Sequence, residues 1–291
     1  MSKVTLDLWG GNHIFDTENK RYDLDRDCGL FSNVTVQLYG LVKFGLMGHI
    51  AESLSMKLIE YETDYDFYPH LFKMGGDEVD YTKFTEYEIG HFMKYCEPNR
   101  LGIGRRKQDI NFNIINSVLD RYYNLSDECE KMLNDMIEKH DLDFENTTFI
   151  WARKTDKISE SDIPTADDYF RVLKENNLLD KKIILQTDDV TVLDDFNNLG
   201  VNFTTLNELP YSPTNDGFHI RLHRISDFIF RRTFGISKVE YLQRLLCLVK
   251  LASRFKNVLI YPGNLTTVIP IFRGNFNNTY SFVDTINLLP E

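Results

Sequence analysis

The chain is poor in the residues that staple or anchor a fold. Its four cysteines, Cys28, Cys96, Cys129 and Cys247, form no C-x-x-C pair, which argues against a disulfide framework or a cysteine zinc site and for reduced thiols. Positive charge is also short: 33 Lys and Arg face 44 Asp and Glu, for a net charge of -11 and a pI near 5.2. Nucleic acid is therefore not an expected partner, because neutralising phosphates takes a basic surface, although a local basic cluster can still hold one diphosphate. No apolar run reaches the length of about eighteen residues needed to span a membrane. The amino terminus, MSKVTLDLWGG, lacks an apolar core behind a basic start. The expectation is a cytoplasmic, soluble chain without signal peptide or stable membrane anchor, and its N-x-S/T triplets then carry no information. Histidines are scattered, and His219 and His223 at i, i+4 lack a third ligand, so no metal site is expected. No internal repeat or low-complexity stretch occurs.

What is present organises around Thr148 to Asp189. Phe149 to Ala152 is an apolar run too short for a helix and ends in charge, which predicts a strand. Ala166 to Leu179 carries Tyr169, Phe170, Val172, Leu173 and Leu178 near one helical face, with Pro164 and Thr165 suited to its start. Ile183 to Leu185 is a second strand, closed by Thr187, Asp188 and Asp189. Strand, helix and strand make a βαβ unit, which implies a parallel sheet with ligand chemistry at the strand carboxyl ends. Both charged clusters fall there.

Elsewhere, Val4, Leu6 and Leu8 alternate with polar residues as a strand ending at Gly10 and Gly11, and a polar stretch runs on to Asp27. Gly29, Phe31 and Asn33 then lead into a helix with Leu38, Leu41, Val42 and Gly45 on one face. A glycine turn feeding a helix leaves backbone N–H groups free to hold an anion or a sugar hydroxyl, and equally serves as a plain tight turn. Further strands are predicted at Ser55–Tyr61, Val201–Leu206 and Asn257–Ile260. Helices are predicted at Ser126–His140, Val190–Leu199 and Lys238–Phe255. The boundary between two halves falls near 115–145, giving one domain over 1–130 and another over 131–291. The aromatics between Tyr61 and Phe92 suit either a sugar-stacking cleft rim or ordinary core. The basic run Arg100–Lys107 suits a diphosphate lid or an exposed loop.

Taken together, R-K-T-D-K at Arg153–Lys157 with Glu160, T-D-D at Thr187–Asp189, and the strand with loop YPGNLTTV at Tyr261–Val268 resemble the donor half of the fucosyltransferase superfamily over roughly residues 126–275. That superfamily includes core α1,6-, nodulation and protein O-fucosyltransferases. The resemblance implies a GT-B-like α/β fold, two Rossmann-type domains facing a cleft, and a metal-independent inverting glycosyltransferase of glycan biosynthesis without a cofactor. The missing anchor points to a bacterial or viral type rather than a Golgi enzyme. Its partners would be a nucleotide sugar and a glycan or glycoprotein acceptor. By the same resemblance, Arg153 clamps the leaving diphosphate, and Lys154 replaces a second arginine, keeping charge while losing a bidentate fork. Asp156 and Lys157 order the loop, and Glu160 or, failing it, Asp162 is the general base. Asn264, Thr266 and Thr267 hold the β-phosphate at a strand-to-helix turn, while Gly29, Phe31 and Asn33 form the acceptor-side loop. Asp188 and Asp189 are adjacent and are not read as a metal-binding pair.

Two departures bear on the donor. Trp151 stands where the superfamily has a histidine, and Lys238–Phe255 lacks the aspartate that helps hold guanine. GDP-fucose is the donor by resemblance, a UDP sugar such as UDP-xylose is the alternative, and a non-catalytic nucleotide-sugar or glycan binder is the reading from another class.

Overall fold

Alternation builds the first sheet. In the computed structural model, which describes residues 3–8, 11–26, 29–58, 65–96, 110–153, 164–211, 226–261 and 263–281, β1 (Lys3–Leu8), β2 (Gly11–Asp16) and β3 (Arg21–Arg26) form an antiparallel meander. The stretch read as polar connection thus holds two strands. His13, Phe15, Tyr22 and Leu24 are the alternate residues, and all four are buried. The Asp16 carboxylate closes their turn by accepting from the Glu18 and Asn19 N–H groups at 3.0 and 3.1 Å. Helix α1 (Leu30–Leu46) then crosses back, and β4 (Ser53–Leu58) pairs with β3 in parallel. Every residue of α1 from Leu30 to Val42 is buried. Gly40 allows this close approach, since a Cβ there would collide with the Tyr22 hydroxyl.

A connecting layer follows: α2 (Tyr68–Leu71), β5 (Phe72–Lys73), α3 (Glu86–Cys96), α4 (Phe112–Tyr122), β6 (Asn124–Leu125) and α5 (Asp127–His140). Phe67, Tyr68, Phe72, Tyr81, Phe84 and Phe92 are buried here, while Tyr65 and Tyr87 stay exposed. The aromatic segment is therefore mainly core, which corrects the cleft-rim alternative.

The second sheet carries β7 (Thr147–Ala152), α6 (Ala166–Glu175), β8 (Lys182–Thr187), α7 (Val190–Asn198), α8 (Asp227–Phe234), α9 (Lys238–Ala252), β9 (Asn257–Ile260), α10 (Asn264–Arg273) and β10 (Thr279–Ser281). Its order is β10-β9-β7-β8, and every pairing is parallel. Helix α6 starts in a capping box between Thr165 and Asp168. The strand predicted at Val201–Leu206 is reduced to one parallel bridge, Ile184 to Thr204, before Asn207 turns the chain at a φ of 54°.

Both faces of β7 are covered, so its sequence is continuously apolar rather than alternating. Phe149 and Trp151 join a core that runs without a break from Phe15, Tyr22 and Leu38 to Val268 and Ile271; Ile150 and Ala152 pack with Tyr169, Leu173 and Phe196 on the other side. From β7 the chain passes through α6 to β8 on one flank, whereas β9 lies on the other. Strand order thus reverses between β7 and β9, and ligands of open parallel sheets bind outside the carboxyl ends at such a point.

Candidate active site

Arg153 follows β7 directly, and two groups hold its guanidinium. Its Nε lies 3.1 Å from Oδ2 of Asp188, just past β8, and its Nη1 donates to the Tyr261 hydroxyl, just past β9, at 3.4 Å. One cation is thereby braced from both neighbouring strands. The Arg153 and Asp188 side chains are 21% and 13% exposed, open enough for a ligand and dry enough for charge to matter.

Beside it α10 begins without a side-chain cap. Its N-cap is Gly263, and no acidic residue occupies the first turn. Alanine at 263 would place its Cβ 2.6 Å from the Tyr261 ring, so that ring and the helix start are fitted to one another. Helix α1 begins the same way, at Gly29, with no capping side chain and no acid in its first turn. By contrast α4, α5, α6, α7, α8 and α9 are capped by the side chains of Asn111, Ser126, Thr165, Asp189, Ser226 and Ser237. The two glycine-started helices follow the carboxyl ends of β9 and β3. Among the described residues, their first N–H groups and positive dipole ends carry no competing side-chain oxygen, the condition under which a phosphate binds.

Several side chains assigned by sequence are instead interior, and these are corrections. Trp151 is 4% exposed and packs beside Phe149 with ring centroids 5.9 Å apart, so its ring is core and not a stacking face. Thr266 and Thr267 are buried, and both hydroxyls donate to the Gly263 carbonyl at 2.9 Å, closing the turn from inside. Any phosphate contact there falls to backbone N–H groups. Phe31 and Asn33 are likewise buried, leaving Gly29 as the open member of its trio. Thr187 accepts from the Asp189 N–H at 3.2 Å, and Asp189 caps α7 by accepting from the Thr191 N–H and hydroxyl, each at 2.8 Å. Of T-D-D, Asp188 is the residue that reaches Arg153. Lys154, Asp156, Lys157, Glu160, Asp162 and the Asn264 side chain lie outside the described residues, as do the Arg100–Lys107 run and the His219/His223 pair.

Sequence reasoning missed Tyr261 and Gly263 as site residues. The signal for both was their place immediately after a predicted strand. Among the described residues no cluster of three or more His, Cys, Asp or Glu is placed to hold a metal ion, and no helix is long and apolar enough to cross a membrane.

The all-parallel β10-β9-β7-β8 sheet with its helices is a Rossmann-type half. The first sheet, with β3–β4 as a parallel pairing among antiparallel strands, departs from the second Rossmann-type half expected. The two sheets with a strand-end site make a mixed, GT-B-like α/β fold. The same fold is seen in the crystal structure of NodZ alpha-1,6-fucosyltransferase soaked with GDP-fucose, which is 12% identical to this chain at a TM-score of 0.53 and aligns over 92% of this chain and 95% of that one. A crystal structure of NodZ alpha-1,6-fucosyltransferase co-crystallized with GDP aligns at a TM-score of 0.44 and 13% identity, over 83% of this chain and 86% of that one. No protein-family model matches the chain. No curated protein matches it either.

Proposed function

We propose that the chain is a glycosyltransferase that takes a nucleotide sugar as donor and a glycan hydroxyl as acceptor. The observation that carries this reading is the braced Arg153 beside the uncapped start of α10 at the switch point. A leaving diphosphate gains negative charge as the sugar departs, and a fixed guanidinium with helix N–H groups stabilises that charge without reorganising. The fold resembles that of a fucosyltransferase crystal soaked with GDP-fucose, which favours GDP-fucose as the donor. In the inverting mechanism proposed here, Glu160 or Asp162 takes the acceptor proton while Arg153 receives the diphosphate, with no metal and no cofactor. Lys154, Asp156 and Lys157 complete the diphosphate side.

A UDP donor such as UDP-xylose is the second reading. It is favoured by the buried Trp151, which stands in place of the histidine that helps hold guanine, and by the absence of aspartate from α9. Thermal stabilisation against GDP, UDP, GDP-fucose and UDP-xylose decides between them, because a ligand that binds only the native state raises its stability with RT ln(1 + [L]/Kd). A shift with the GDP pair supports fucosyl transfer, and a shift with the UDP pair supports the alternative. Tight binding with no hydrolysis or transfer of the donor makes the protein a binding module. No shift with any of the four defeats the proposal.

A further inference from the structure

At the amino ends of β3 and β4, away from the switch point, the described residues enclose a half-open cavity of about 410 Å³. Phe15, Lys20, His49, Glu52, Glu78 and Arg121 line it. Its volume lies within the range of small-molecule sites, roughly 300–1,000 Å³. Phe15 covers one face of the His49 ring, with centroids 5.2 Å apart and planes 25° from parallel. Among the described residues the His49 ring nitrogens have no hydrogen-bond partner. The Arg121 guanidinium donates to the Gly75 carbonyl through a long 3.4 Å bond from Nη1 and interacts with the Tyr122 side chain, while its Nε is buried without a hydrogen-bond partner. Across the cavity, Glu52 is paired with Lys20 at 2.5 Å, and neither it nor Glu78 forms an ion pair with Arg121.

This lining selects by charge. An anion would face Glu52 and Glu78, and a cation would face Lys20 and Arg121. An apolar ligand would leave the buried Arg121 Nε unanswered and would cover the His49 ring nitrogens, at the cost of polar groups without partners. A neutral ligand whose groups each donate and accept meets every requirement, and sugar hydroxyls are such groups. The Phe15–His49 stack adds a flat face for the apolar C–H side of a ring.

We propose that this cavity is a carbohydrate subsite for one sugar residue of a neutral glycan, separate from the donor site. It involves none of the residues at the switch point, so it stands or falls independently of the donor reading.

Saturation-transfer NMR on the full chain tests it, with lactose and maltotriose as neutral probes, galacturonate as the anionic control and glucosamine as the cationic one. A neutral probe binds in the millimolar range, and His49→Ala and Glu78→Gln each weaken it at least about ten-fold, the scale of a lost hydrogen bond to a charged or aromatic polar group. Glu78 is exposed, so its variant keeps the wild-type melting temperature and separates binding from folding. Arg153→Ala leaves the signal unchanged. The proposal is overturned if neither neutral probe binds at about 50 mM, if a charged control binds more tightly, or if both cavity variants bind as the wild type does.

Discussion

Arg153 and Asp188 end neighbouring parallel strands and meet at 3.1 Å, with the arginine also held by the hydroxyl of Tyr261 from the strand on its other side. The pair is partly dry, so its main effect is to fix where the positive charge points. Arg153→Ala is expected to weaken stabilisation by the nucleoside diphosphate, and transfer, by about two orders of magnitude. Asp188→Asn keeps the shape but leaves the largely buried guanidinium without this counter-charge, and is expected to cost about ten-fold in binding and about 1–3 kcal/mol in folding stability. Diphosphate titrations followed by melting temperature, beside urea unfolding, separate the two effects.

The fit of Gly263 against Tyr261 makes a stability prediction. Gly263→Ala pushes a Cβ into the ring, and overpacking of this kind costs about 1–3 kcal/mol. Placed in a Tyr261→Ala background the same change is expected to cost much less. A double-mutant cycle by urea unfolding reads the coupling directly; additive costs refute the contact.

Lys250 on α9 sets a pH dependence. Its ammonium lies 3.7 Å from the centroid of the Phe272 ring, and burial, with repulsion from Arg254, lowers its pKa from 10.5 to about 8. The unfolded chain then holds more protons than the folded one between pH 8 and 10, so stability rises with pH in that window. Above about pH 10 the buried tyrosines, Tyr39 among them at about 12 from burial, reverse the slope because the folded state keeps their protons. At pH 7 the burial penalty of about 3 kcal/mol exceeds a desolvated cation–π contact of about 2 kcal/mol. Lys250→Met is therefore expected to stabilise by about 1 kcal/mol at pH 7 and to flatten the rise above pH 8, as denaturant unfolding across pH will show.

A buried carboxylate gives a slope of the same sign at acid pH. Glu208 accepts from Lys139 and His140, each at 2.7 Å, with Arg244 at 3.8 Å. Burial pushes its carboxyl up, but the hydrogen bonds from Lys139 and His140 outweigh it and hold the pKa below the ordinary value of 4.5. Its contribution is present above pH 4.5 and is lost as pH falls through the folded value. Glu208→Gln is expected to cost about 1–3 kcal/mol at pH 7, discounted because Lys139 is exposed. The difference from wild type should vanish toward pH 3; an undiminished gap there would place the effect in packing instead.

The β7–α6–β8 unit was legible because burial of both strand faces leaves an unbroken apolar run, and because Pro164 and Thr165 announce the helix. The β2–β3 hairpin was not, since two of its buried residues, His13 and Tyr22, are polar by type and find each other at 2.5 Å only in the fold. Arg153 stood out by its motif, whereas its partner Tyr261 lies 108 residues on and is brought near only by the reversal of strand order. The glycine at the start of α1 was visible, but nothing local tells that Phe31 and Asn33 turn inward. Nor does a Thr-Thr pair after a glycine reveal that both hydroxyls will be used up by the turn itself.

The core that passes from Phe15 and Tyr22 through α1 to Val268 and Ile271 has a mechanical consequence. Halves joined by a loose linker swing shut on a substrate, but here α1 and α10 are packed against each other in one apolar mass, and opening them would expose it. The two sheets should therefore melt together in a single cooperative transition.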